Sequence, residues 1–277
     1  MPDKYAVIGN PVEHSLSPVI HAAFAREAGH DIVYDRILAP RDGFRAAVLK
    51  FRDEGGKGLN VTLPFKHEAW NLSEPSGMAV DANAVNTLKF DGGRILGYNT
   101  DGIGLVRDLD QNLHCTVAGK RVLLMGAGGA SYGVVEPLLR EGPRELVIAN
   151  RNLDKAQELV GHFRKVAGLD ARRISWQPYD ALPRARFDIV INATSAGLAG
   201  TMPALPEGVF APLALAYDMV YGRATPFLKF AAGQGARTAD GLGMLVEQAA
   251  ESFFIWRGVR PATASVIAML KGVSRGG

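Results

Sequence analysis

The sequence predicts an α/β chain of two domains, one of them a doubly wound parallel sheet. Three observations predict it. The 277 residues exceed one average domain of about 150 residues. The middle third alternates short apolar runs with amphipathic helical stretches, the pattern of parallel strands with helical crossovers. One of those apolar runs opens directly into a glycine-rich turn. Composition agrees, because 47% hydrophobic and 21% charged residues are ordinary globular usage. That excludes a disordered, collagen-like or coiled-coil chain.

The first third reads as strand Lys4–Gly9, helix Ser17–Gly29, strand Ile32–Leu38, helix Asp42–Glu54 and strand Gly58–Thr62. Ser17-Pro18 is a helix-start signal, an N-cap followed by proline at the first helical position. Ile20, Ala23, Phe24 and Ala28 then share one face. Gly55-Gly56 closes the second helix. Val85–Phe90 and Arg94–Tyr98 flank Asp91-Gly92-Gly93, a hairpin signal. Asn99–Leu113 reads as a connecting helix with Asn99 or Thr100 at its cap.

In the middle third, strands are expected at Arg121–Met125, Glu145–Ala149, Arg173–Gln177, Asp188–Asn192 and Leu213–Asp218. Helices follow Gly126 to about residue 141 and Leu153 to about residue 167, and Pro226–Gly233 is helical. Leu242–Trp256 and Thr263–Leu270 close the chain as helices. No internal repeat is visible.

The formal net charge is +3 with a pI of about 9.0. It divides as −1 over residues 1–100, +3 over 101–239 and +1 over 240–277. No long basic run is present, so the excess reads as a solvated surface and not a nucleic-acid patch. The lone Cys115 excludes an internal disulfide and a multi-thiolate metal site. No two histidines stand at i,i+3 or i,i+4, so no metal is expected. A reducing cytoplasm fits. The N-terminus lacks the basic-then-apolar order of a signal peptide, and no apolar run reaches the ~18 residues that span a bilayer.

Strand Arg121–Met125 runs into Gly126-Ala127-Gly128-Gly129-Ala130-Ser131. Glycines there let the backbone approach a pyrophosphate, and the N–H groups of the next helix point at it. Ser131 stands where a third glycine is usual. The second strand ends at Asn150-Arg151-Asn152, where NAD-binding sheets place a carboxylate for the ribose 2′-hydroxyl. Arg151 instead attracts a 2′-phosphate bidentately, and Lys155 adds a second charge. NADP is therefore favoured over NAD.

Three polar clusters lie outside that region. They are His14-Ser15-Leu16-Ser17-Pro18, Asn60-Val61-Thr62-Leu63-Pro64-Phe65-Lys66, and Asn86-Thr87 with Gly97-Tyr98-Asn99-Thr100-Asp101-Gly102. Each residue has a plain structural reading: Ser17 a cap, Lys66 a surface lysine, Asp101 a first-turn acid favoured by the helix dipole. Together the clusters carry more polar groups than structure needs.

With these motifs the chain resembles the shikimate/quinate dehydrogenase family nearly end to end. Ala6–Pro11, the His-Ser-x-Ser-Pro segment, Asn60–Lys66, Ala84–Thr87 and Asn99–Gly102 carry the resemblance in the first third. Gly128–Ser131, Asp218–Tyr221, Thr225–Phe227 and Asp240–Leu245 carry it further on. The resemblance implies NADP-dependent, reversible reduction of 3-dehydroshikimate to shikimate in aromatic amino-acid biosynthesis. It implies that Ser15 and Ser17, helped by Tyr221, bind the substrate carboxylate. Thr62, Asn86 and Gln248 surround the ring hydroxyls, with Lys66 and Asp101 as the catalytic pair. Met219 and Gly241 line the nicotinamide, while Gly126, Ala127, Gly128, Gly129, Ala130, Asn150, Arg151, Asn152 and Lys155 hold the rest of the cofactor. Asn152 replaces the threonine usual in the family, and an amide still donates to a phosphate.

The implied architecture is a substrate-binding domain of residues 1–100 plus 240–277 and a Rossmann-like NADP-binding domain of residues 101–239, with the active site in the cleft. A monomer or homodimer is expected, with no nucleic-acid or membrane partner. The chemistry agrees with the implied pair, because a cation beside a ketone oxygen stabilises the charge that hydride addition builds there. Two other readings stay open: a dehydrogenase that also accepts quinate, and a non-catalytic NADP-binding regulator, since fold alone never proves activity.

Overall fold

The computed structural model describes residues 1–182 and 186–273. The chain divides into two compact units, Met1–Gly104 with Val246–Gly277, and Leu105–Leu245. Each unit is built on its own sheet.

In the first unit, β1 (Asp3–Gly9), β2 (Ile32–Leu38) and β3 (Gly56–Val61) are parallel. They are joined by α1 (Ser17–Ala28) and α2 (Phe44–Asp53). After β3 come α3 (Lys66–Leu72), the short strand β4 (Glu74–Pro75) and α4 (Met78–Ala82). β5 (Thr87–Asp91) and β6 (Arg94–Tyr98) form a hairpin with Asp91 opposite Arg94. Gly92 and Gly93 both take positive φ, which is what a two-residue hairpin turn demands. β5 runs antiparallel to β3, so the sheet is mixed, in the order β2-β1-β3-β5-β6-β4.

α1 corrects one expectation. Ser17 is not its N-cap; Leu16 holds that position. Ser17 lies in the first turn, buried, and its N–H donates to Ser15 Oγ at 3.3 Å. The cap function is thus supplied two residues upstream. α1 ends at Gly29, left-handed at φ 67, whose N–H returns to the Ala25 carbonyl.

α5 (Asp101–Arg107) continues as a π-helical stretch, Asp108–Asn112, where a single helix to Leu113 was expected. The second unit then runs β7 (Arg121–Met125), α6 (Gly129–Arg140), β8 (Glu145–Ala149), α7 (Leu153–Phe163), β9 (Ile174–Gln177) and β10 (Phe187–Asn192). β11 (Phe210–Asp218), α8 (Pro226–Gly233) and β12 (Arg237–Asp240) complete it. Among the described residues its sheet is parallel throughout, in the order β12-β11-β10-β7-β8-β9. That is the doubly wound arrangement in which the strand order reverses between β7 and β10, the place where such sheets bind ligands. β12 has no apolar run to announce it and is a strand because it pairs with β11.

Both faces of this sheet are covered. Val122, Leu124, Ile189 and Ile191 point into one core, while Leu123, Met125 and Val190 point into the other. Burial on both faces is why these strands read as unbroken apolar runs. α9 (Leu242–Arg257) and α10 (Ala264–Val273) end the chain. Among the described residues no helix is long and apolar enough to cross a membrane.

β11 carries a local defect. Phe187 pairs with Phe210, but Ile189 pairs with Leu215, so extra residues bulge out of β11. Leu213 sits in that bulge, 88% exposed and left-handed at φ 62. A non-glycine residue pays about 1–2 kcal/mol for that conformation, and this one buries nothing in return. Glycine's greater unfolded-state freedom offsets only part of the gain from replacing it. Leu213→Gly is therefore expected to raise the thermal midpoint by about 2 °C, and an unchanged or lower midpoint contradicts the strain.

Candidate active site

In the first unit the polar clusters converge at one end of the sheet. Phe65, fully buried and stacked on Phe44 with ring centroids 4.9 Å apart, anchors the turn after β3. Lys66 follows as the first residue of α3. Its ammonium donates to Asp101 Oδ2 at 2.6 Å. Asp101 opens α5, and its N–H is capped by Asn99 Oδ1 at 3.1 Å. The Asn86 amide donates to Asp101 Oδ1 at 2.9 Å and to Thr100 Oγ1 at 2.9 Å, and contacts Gln248 Oε1 at 3.3 Å. Asn86 Oδ1 accepts from the Thr100 N–H at 2.9 Å. Both carboxylate oxygens of Asp101 are therefore held, one by the lysine and one by an amide.

Ser15 Oγ donates to Ser17 Oγ at 3.2 Å, so the two hydroxyls do lie side by side. The Ser15 carbonyl accepts from Arg36 Nη2 at 2.6 Å and Nε at 3.2 Å. Deeper in the unit, the buried Tyr34 hydroxyl donates to Asn60 Oδ1 at 2.7 Å. The Asn60 amide in turn donates to Ser252 Oγ at 2.9 Å and Thr87 Oγ1 at 3.2 Å. Ser252 lies one turn beyond Gln248 on α9 and donates to the Gln248 carbonyl at 3.0 Å. Thr87 donates to Asn86 Oδ1 at 3.0 Å, so Tyr34, Asn60 and Ser252 join the Lys66–Asp101 pair in one polar network.

Sequence reasoning missed Tyr34, Arg36, His21 and Ser252. Tyr34 and Arg36 stand two apart on β2, hence on one face, and that spacing is the signal that was available. His21 gave none. It is fully buried on α1, stacked on Tyr34 at 4.3 Å, with Nε2 3.1 Å from Asn60 Oδ1. Since Oδ1 only accepts, Nε2 carries the proton, and Nδ1 is buried without a partner.

Burial drives the His21 pKa from 6.5 down to about 3, and the Asn60 contact opposes this only in part. Between those values the unfolded chain binds a proton that the folded chain refuses. The stability conferred by neutral His21 is complete above pH 6.5 and is lost as pH falls toward about 3.

The second unit presents the residues expected to meet a cofactor. Gly126, at φ 109, follows β7, and a Cβ there would stand 3.3 Å from the backbone of Ala193, so glycine is required. At Gly128 and Gly129 a Cβ would meet nothing within 4 Å, leaving open space over the N-terminus of α6. Ser131 resolves the departure from the glycine fingerprint. It is fully buried, and its hydroxyl donates to the Gly126 carbonyl at 2.8 Å, tying the turn to the helix.

Asn152 caps α7 by accepting from the Lys155 N–H at 3.3 Å, which leaves its amide N–H groups as donors. Asn150 donates to the Asn152 carbonyl at 2.8 Å. Asn150 and Arg151 line a cavity of about 520 Å³ together with Leu153, Pro178, Tyr179, Asp180, Ala204, Leu205 and Pro206. Asn152 and Lys155 are not in its lining. Met219 and Gly241 meet backbone to backbone at the ends of β11 and β12, where a Gly241 Cβ would overlap the Met219 carbonyl. Burial raises the Tyr221 phenol, which therefore stays neutral and able to donate. The open turn, the helix N-terminus at the sheet's switch point and the cavity beside Arg151 fit a phosphorylated dinucleotide.

The class of protein follows. One unit is built to hold a dinucleotide and the other carries a lysine–carboxylate pair suited to proton transfer, the equipment of a nicotinamide-dependent oxidoreductase.

Comparison with known proteins gives the particular family. Residues 7–88 match the shikimate dehydrogenase substrate binding domain, residues 108–199 match the shikimate / quinate 5-dehydrogenase domain, and residues 241–270 match the shikimate 5′-dehydrogenase C-terminal domain. The chain is 57% identical to shikimate dehydrogenase (NADP(+)) of Methylobacillus flagellatus over 97% of its own length and 99% of the relative's. Its structure resembles that of the Ael1 enzyme from Pseudomonas putida with a TM-score of 0.90 at 49% identity, covering 97% of this chain and 98% of that one. It also resembles shikimate 5-dehydrogenase from Thermus thermophilus in complex with NADP(H) and shikimate, with a TM-score of 0.85 at 29% identity over 99% and 98% of the two chains. The chain belongs to the shikimate dehydrogenase family.

One measurement checks the buried histidine. At about pH 5 the His21 contribution should cost about 2 kcal/mol relative to about pH 7.5. Urea unfolding of wild type and His21→Gln at both values isolates it, since all other groups titrate alike. The wild type is expected to lose about 2 kcal/mol more than the variant, and equal losses refute the assignment.

Proposed function

We propose that this chain is an NADP-dependent shikimate dehydrogenase that reversibly reduces 3-dehydroshikimate to shikimate. The Lys66–Asp101 pair, oriented by Asn86, carries the reading. The first unit, residues 1–104 with 246–277, binds the substrate. The hydroxyls of Ser15 and Ser17 donate to its carboxylate, with Tyr221 as a further donor. Thr62, Asn86 and Gln248 take the ring hydroxyls, so recognition rests on hydrogen bonds that an analogue lacking them leaves unmade.

NADPH supplies the hydride when bound. Lys66 Nζ donates to the carbonyl oxygen as negative charge grows there and passes its proton to it. In the oxidising direction Lys66 receives that proton. Asp101 holds the ammonium in line throughout and takes no covalent part. In the second unit, residues 105–245, the backbone of Gly126–Ala130 and the N-terminus of α6 face the pyrophosphate. Asn150, Arg151 and Asn152 hold the 2′-phosphate, with Lys155 adding charge from α7, and Met219 and Gly241 line the nicotinamide. A reducing cytoplasm suits the single cysteine, and the protein works as a monomer or homodimer.

Lys66→Ala is expected to lower turnover about 10²–10⁴-fold while the KM for shikimate changes little. Near-normal turnover removes Lys66 from the chemistry. Following NADPH absorbance with shikimate and with quinate decides whether quinate is also accepted. Arg151→Ala should lower kcat/KM for NADP by about 10–100-fold, the value of a charged hydrogen bond, and leave that for NAD nearly unchanged. A wild-type preference for NAD, or equal losses with both cofactors, overturns the cation site.

A further inference from the structure

Asp108 is a carboxylate that the reaction does not use. It opens the π-helical stretch after α5 and is 3% exposed. Tyr217, itself fully buried, donates its hydroxyl to Asp108 Oδ2 at 2.7 Å. Asn112 Nδ2 donates to Asp108 Oδ1 at 3.0 Å. The carboxylate sits directly against the first turn of α9, where a Cβ on Gly243 would overlap it. Tyr217 and Met244 belong to the same buried core, so the same pair of side chains borders two successive residues of that turn.

The first turn of α9 is the continuation of Gly241. The Leu242 N–H is capped by Asp240 Oδ1 at 3.2 Å, and the Leu245 N–H returns to the Gly241 carbonyl at 2.9 Å. The Gly241 N–H donates to the Val220 carbonyl at 3.2 Å, which sets its backbone against Met219. A buried charge is retained only where it is fully bonded. Here Tyr217 and Asn112 bond it, and the carboxylate so held packs against Gly243, in the segment that presents Gly241. A buried, acceptor-only group beside the orphan N–H groups of a helix start also fixes that start against sliding or fraying.

We propose that Asp108 is a positioning residue for the nicotinamide end of the cofactor, acting through Tyr217 and the first turn of α9 to hold Gly241 against Met219. The proposal rests on the NADP-dependent reading above. It separates the two ends of the cofactor: Asp108 governs the wall that meets the nicotinamide, while Asn150 and Arg151 hold the adenosine end independently.

The test uses binding as well as turnover. Calorimetric titration of wild type, Asp108→Asn and Gly243→Ala with NADP⁺ is compared with titration by adenosine 2′,5′-bisphosphate, which lacks the nicotinamide half. Both variants are expected to weaken NADP⁺ about tenfold and leave the bisphosphate within about twofold. kcat should fall about tenfold or more, and the KM for shikimate should stay near that of the wild type. Equal weakening of both ligands means a general loosening of the unit and overturns the proposal, as does unchanged NADP⁺ affinity with full kcat. If Asp108→Asn and Gly243→Ala do not fold, Tyr217→Phe decides. It keeps the carboxylate but removes the phenol's bond to it, and it should show the same selective loss in smaller degree; normal NADP⁺ binding there overturns the proposal. Wild-type turnover with NADPH is measured in parallel. Its absence overturns the functional reading and this inference together, whereas an active wild type with unaffected variants overturns the inference alone.

Discussion

Asn86 does two jobs whose requirements coincide. Its backbone closes the sheet, accepting from the Val61 N–H at 2.8 Å and donating to the Tyr98 carbonyl at 3.0 Å. Its carboxamide reaches Asp101, Thr100 and Gln248. A buried amide that left any of these groups unsatisfied would cost about 1–3 kcal/mol for each, so the side chain has essentially one orientation. Asp101 inherits that orientation, and Lys66 inherits it from Asp101. The lysine–carboxylate pair is aimed by the same residue whose backbone bonds complete the sheet.

Asn60 plays the matching part deeper in the sheet. Its carbonyl oxygen accepts from Tyr34 and faces the His21 imidazole, while its amide nitrogen reaches Thr87 and Ser252. The Asn86 carbonyl, which only accepts, lies 3.3 Å from the amide nitrogen and so fixes that orientation. The network runs from Tyr34 to the lysine pair without an apolar break. A shift at one end is therefore resisted at the other, which suits a site that must hold its groups in fixed positions.

The second unit solves a different problem. Its sheet is dry on both faces, and its polar groups gather at the strand ends. Asp218, fully buried at the end of β11, accepts from Thr225 Oγ1 at 2.6 Å, from Asn192 Nδ2 at 3.2 Å and from the Val220 N–H at 3.0 Å. Tyr217, the residue before it, points to the opposite face and meets Asp108. Strand alternation thus sends two neighbouring residues to brace two different loops, both of them beside the Met219–Gly241 contact.

Much of this was written locally. The strands β7 and β8 and the hairpin of β5 and β6 follow from apolar runs and turn residues, because period and turn chemistry act over a few residues. The glycine turn and the cations after β8 are legible for the same reason, and the family motifs mark Ser15, Ser17, Lys66, Asn86 and Asp101 without any coordinates. Long-range pairing decided the rest. β12 is a strand only because β11 lies beside it, and Ser17 surrendered its cap to Leu16 because Ser15 supplies the hydrogen bond from outside. His21 looks like any helical histidine until Tyr34 and Asn60 enclose it, and Asp108 like any acid on a helix until Tyr217 and Gly243 close over it. The sequence alone determined which residues are chemically able to act; the tertiary structure decided which polar groups lose water together, and burial makes the position of each one binding on its neighbours.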